Sequence, residues 1–221
     1  KSDTIFRMID RLENTIKKAL ILIMSLTMLI VVVGGLTRLT DSGLSMVDWR
    51  PIMGSIPPLT DQQWQTTFQM YQQFPEFKHQ ASMSLKEFKF IFFWEYLHRM
   101  IARVIGLVAF IPFLLALRAP SISRKRKIAY LLLPLWVLFQ AILGWKMVQS
   151  GLIHNPAVSH FRLAAHFLTA LSFLSYTLWL YLDLVSPLKK KSKSPIMLNF
   201  SLNIFLSKMD LSIHTVKIPI T

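Results

Sequence analysis

At 221 residues, 53% of them hydrophobic, 16% charged and with a mean hydropathy of +0.45, the chain is too poor in charge for a soluble domain, which carries about a quarter. A net charge of +14 suggests nucleic acid, but the basic residues cluster at the edges of apolar runs rather than along one soluble face, which excludes that partner. The absence of cysteine excludes disulfides, thiolate metal sites and a cysteine nucleophile, and leaves histidine as the obvious soft ligand.

In chain order, the first apolar run covers 19–36, preceded by Lys17 and Lys18. It lacks a convincing small-residue cleavage site and reads as an anchor rather than a cleaved leader. A long loop, 37–89, follows. Inside it, "TDQQ" from Thr60 and "SLKE" from Ser84 read as capping boxes that start helices. After the first box, Trp64, Phe68 and Tyr71 recur at i, i+4 and i+7, which predicts a helix packed on the membrane interface or on the bundle.

Runs at 88–117, 128–147 and 161–185 complete a set of four, each near the roughly 20 residues a spanning helix needs. Pro112 and Pro134 fall inside the second and third, where neighbouring helices satisfy the freed carbonyls. After Val185, "IMLNFSLNIFL" is too short to span. Residues 1–186 therefore read as a four-span membrane domain and 187–221 as a basic, extra-membrane tail.

Arg118, Arg124, Lys125, Arg126 and Lys127 lie between the second and third runs, and Lys189, Lys190, Lys191 and Lys193 follow the fourth. The loop between the third and fourth carries only histidines and Arg162. The positive-inside rule puts both termini on the cytoplasmic or matrix side and the 37–89 loop outside. The fold expected is all-α, a polytopic four-helix bundle with an ordered outer loop containing short helices.

The second run holds Glu95, His98, Arg99 and Arg103 within "FFWEYLHRMIARVIGL", at a cost of about 2.5–3.5 kcal/mol per charge in a bilayer. Of six histidines, only His98 and His166 fall within spans. In an up-down-up-down bundle their helices are diagonal, and the two imidazoles sit at similar depth, roughly a turn apart. Facing each other, they suit the axial positions of one haem iron. Ala102, Gly106 and Ala170 leave room for a macrocycle and equally permit close helix packing.

Arg99, Arg103 and Arg162 are candidate partners for haem propionates. Glu95, three residues before His98, is placed to accept a proton, position a water or stabilise positive charge. Glu95 and Arg99, at i and i+4, equally read as a pair that neutralises itself. Three classes stay open on the residues alone: a haem-oxidising enzyme, a non-catalytic b-type haem protein for electron transfer or oxidase assembly, and a haem-free transporter or structural subunit.

The stretches "GGLTRLTDSGLSMVDWRPI", "YQQFPEF", "EFKFIFFWEYLHRM" and "FRLAAH" resemble the N-terminal half of haem A synthase in its proteobacterial and mitochondrial branch, from about Ile30 to Val185. The resemblance implies oxidation of the C8 methyl of haem O to the formyl group of haem A, which terminal oxidases use. It implies Glu95 as the catalytic carboxylate, with His98 and His166 as the haem-iron pair of the substrate half. It also implies a second four-helix half holding a haem b, which this sequence does not include. The chain then reads as a fragment, a truncated product or a single-repeat form. Expected partners are haem O, an electron donor, membrane lipid, haem O synthase or oxidase assembly factors, and either the missing half or a second copy of this chain. The expected location is a bacterial cell membrane or the mitochondrial inner membrane. A lone half is expected to bind one haem and to self-associate through small-residue faces around Gly34, Gly35 and Gly144.

Overall fold

The computed structural model describes residues 2–47, 55–78, 82–153 and 159–186. His79, His154, His214 and the 187–221 tail lie outside them. Six helices follow in order: α1 (Ser2–Leu39), α2 (Asp61–Tyr71), α3 (Pro75–Lys78), α4 (Leu85–Arg118), α5 (Arg124–Ile153) and α6 (His160–Val185), with no strand among the described residues. Four of them, α1, α4, α5 and α6, are long and apolar enough to cross a membrane. Their outward faces are apolar too: Leu107 is 73% exposed, and Val32, Leu138 and Trp179 also point away from the bundle. Such a surface suits lipid, not water.

Each long helix contains the apolar run that predicts it and extends beyond it. α1 begins well before Ala19, and its polar first turns are helped by a Glu13–Lys17 pair at 3.1 Å. Once a helix is nucleated, each added residue gains a hydrogen bond at little cost, so the polar flanks stay helical.

The four helices form a ring. α1 packs on α4, α4 on α5, α5 on α6 and α6 on α1, which leaves α4 and α6 on a diagonal. One stripe of α4, Ile101, Ile105, Ala109 and Ala116, meets Leu20, Ile23 and Val33 of α1 and Leu133 of α5 in a shared core. Polar side chains tie neighbours at backbone carbonyls: Tyr176 Oη donates to Ala129 at 2.9 Å, and Gln140 Nε2 to His166 at 2.7 Å.

At one end, α1 stops in a Schellman turn. Ser42 N–H reaches the Thr37 carbonyl at 2.9 Å, and Asp41 takes the left-handed position with φ 50°, tied to Arg38 at 3.3 Å. The turn sends residues 42–47 back towards α4. The short helices sit at this same end. Both capping boxes form: Thr60 Oγ1 accepts from Gln63 N–H at 3.2 Å, and Ser84 Oγ from Glu87 N–H at 3.3 Å. Trp64, Phe68 and Tyr71 pack on Phe88 and Phe92 at the start of α4, with centroids 5.0–6.5 Å apart. Of the two sequence readings for α2, packing on the bundle holds.

Candidate functional site

His98 projects from α4 and His166 from α6, the diagonal pair, both towards the end where the 42–47 segment lies. His98 sits within electrostatic range of His166. Each ring rests on a glycine of a neighbouring helix. A Cβ built on Gly34 of α1 would stand 3.0 Å from His98 Cε1, and one on Gly144 of α5 would stand 3.1 Å from His166 Cε1. Nδ1 of both histidines is buried and lacks a hydrogen-bond partner among the described residues.

Two further orphans lie close in the fold. Trp94 Nε1, one turn before His98, is buried without a partner among the described residues, as is Oε1 of Gln140, the side chain bonded to the His166 carbonyl. Unpaired buried polar groups cost about 1–3 kcal/mol each, so a ligand with polar groups is favoured there. Among the described residues, no group of three or more His, Asp or Glu could hold a bare metal ion. Two imidazoles from opposite helices, set in niches a methyl would fill, fit an iron that brings its own equatorial ligands.

Glu95 is 3% exposed on α4 and bonded through both oxygens. Oε2 accepts from Ser45 Oγ at 2.7 Å and from the Met46 N–H at 2.8 Å, while Oε1 pairs with Arg99. Arg99 also donates to the Met46 carbonyl at 3.1 Å. The Glu95–Arg99 pair read from the i, i+4 spacing is therefore present, and its second task is to hold the 42–47 segment against α4. Ser45 is 1% exposed and Ser42 fully buried, so this segment is part of the folded body.

The other candidates are more peripheral. Arg103 is half-buried one turn beyond Arg99. Arg162 is exposed at the start of α6 and donates to the Lys146 carbonyl at 2.6 Å. His160 is exposed. A Cβ built on Gly106 would stand an ordinary 3.5 Å from Val137 Cγ1, so on the His98 face this glycine serves helix packing. The structure thus groups Glu95, His98, Arg99 and His166 with Gly34, Gly144, Ser45 and Met46. The last four carry no periodic signal, since they act from other elements.

The family described as cytochrome oxidase assembly protein matches residues 17–213, beyond the Ile30–Val185 limits of the motif resemblance. A heme A synthase of Flavobacterium johnsoniae is 47% identical over 171 residues, 76% of this chain and 50% of its own length. Those of Nitrosospira multiformis and Pelagibacter ubique are 45% and 41% identical, covering 80% and 91% of this chain and 51% and 63% of their own lengths. The chain belongs to the haem A synthase family. It is an integral membrane protein, with four helices among the described residues long and apolar enough to span. It spans about half the length of the first two of these haem A synthases. No solved structure matches.

Proposed function

We propose that this chain is the substrate-haem half of a haem A synthase, an oxidoreductase that converts the C8 methyl of haem O to the formyl group of haem A. The observation that carries the reading is the diagonal pair His98 and His166, each set on a glycine and each with an Nδ1 that lacks a partner among the described residues, in a chain of this family. His98 and His166 would hold the iron, which when bound supplies a redox centre beside the methyl group. An imidazole that ligates iron through one nitrogen almost always donates its other N–H to an acceptor.

Turning a methyl into a formyl group removes four electrons, releases protons and adds one oxygen. Glu95, one turn from His98, is the group suited to stabilise positive charge on the oxidised methyl and to take up a proton. Ser45, Met46 and Arg99 fix its carboxylate, and proton uptake requires one of those contacts to loosen. Arg103 and Arg162 are the candidate partners for propionates, while Arg99 is paired with Glu95. An electron acceptor and a second half, or a second copy, complete the enzyme. The charge pattern favours both termini inside and the 42–47 segment outside. Titration of the purified chain with haem O tests the binding step. A low-spin spectrum saturating at one haem per chain supports the proposal; a high-spin or unbound spectrum contradicts it.

A further inference from the structure

We infer that Gly34 and Gly144 are positioning residues for the axial histidines, each setting the rotation of an imidazole that belongs to a neighbouring helix. The inference rests on the haem reading above. Five glycines have described surroundings, and only these two are approached closer than 3.4 Å; in both cases the approaching group is a candidate ligand. None of these five glycines has a positive φ, so backbone freedom does not explain them. Glycine inside a helix weakens it relative to alanine, and clearance for the ring is the compensating gain. Gly35, next in sequence to Gly34, has nothing within 4 Å and faces outward.

The arrangement repeats. In the α1–α4 pair and in the α5–α6 pair, a glycine of the first helix lies under the histidine of the second. At each site the closest ring atom is Cε1, between the two nitrogens, so the ring turns that edge towards the glycine. A methyl at either position forces the ring to rotate or slide by a few tenths of an ångström. The plane of an axial imidazole governs the splitting of the iron d orbitals. Its displacement therefore changes the largest g value of the low-spin ferric haem and the midpoint potential.

The test uses the full 221-residue chain in detergent, loaded with haem b. Gly34→Ala and Gly144→Ala are compared with wild type and with Gly35→Ala and Gly106→Ala as controls. Both cradle variants should weaken haem binding, on the order of 10-fold to 100-fold, and shift the largest g value and the potential. The controls should keep all three. In the apo-protein, Gly34→Ala should lower the melting temperature in the wild-type background and not in a His98→Ala background, which also rescues a variant too strained to fold alone. Wild-type spectra and affinity in both cradle variants would overturn this inference only. A melting cost that persists without the His98 ring would do the same. Failure of the wild-type chain to bind haem would remove the functional reading and this inference together.

Discussion

Glu95 brings donors from three residues onto two oxygens, and that arrangement decides what its substitution does. Removing one partner of a buried ion pair leaves the other charge uncompensated, at about 3–5 kcal/mol, so Glu95→Ala is a poor probe of chemistry. Glu95→Gln keeps the size. At the corresponding position of a full-length relative it should leave haem bound and abolish formyl product, measured by extracting and separating the haems. Normal haem A output would reduce Glu95 to the tether of the 42–47 segment. Ser45→Ala removes one hydrogen bond to a charged group and should cost about 1.5–3 kcal/mol, read by thermal unfolding. The Glu95–Arg99 pair is visible in the sequence because both partners share one helix face. Ser45 and Met46 are not, because a contact between a loop and a helix some fifty positions later leaves no periodic trace. The glycine cradles are hidden for the same reason: the small residues on each histidine's own helix are readable as its neighbours, those on the adjacent helix are not.

The element scale is where the sequence is most informative. Capping boxes and the Trp64, Phe68, Tyr71 stripe are local signals, and α2 follows both. What they do not state is the partner of the stripe, because Phe88 and Phe92 belong to a helix that also reads as a span. Phe88 is fully buried against all three α2 aromatics. Phe88→Ala should cost about 3–5 kcal/mol and release the 61–78 segment to limited proteolysis, while haem binding among the long helices persists. Cleavage no faster than wild type would show that α2 is held by other means. Burial first, and nearby acidic groups second, push the Tyr71 phenol well above its usual range, so it stays neutral; its hydroxyl is buried with no partner among the described residues. Tyr71→Phe should therefore leave the melting temperature unchanged or raise it. A clear loss of stability would reveal a partner for that hydroxyl.

Across the whole molecule, the ring order α1–α4–α5–α6 puts the helices that carry His98 and His166 on a diagonal, as an up-down-up-down bundle predicts. The three glycines whose faces are expected to drive self-association have different surroundings. Gly34 and Gly144 are covered from within by histidine rings, and Gly35 alone among the three faces outward. The chain should hold one haem and, as a demonstrated monomer, make no haem A from haem O. Product from a monomeric preparation would show that one half suffices.

The central claim is that His98 and His166 together ligate one haem, and the most direct measurement is the low-temperature electron paramagnetic resonance spectrum of the haem-loaded chain. The wild type and His160→Ala should both give the low-spin ferric signal of bis-imidazole ligation. His98→Ala and His166→Ala should each lose it, giving high-spin haem or none. A retained low-spin signal in either variant would contradict the account.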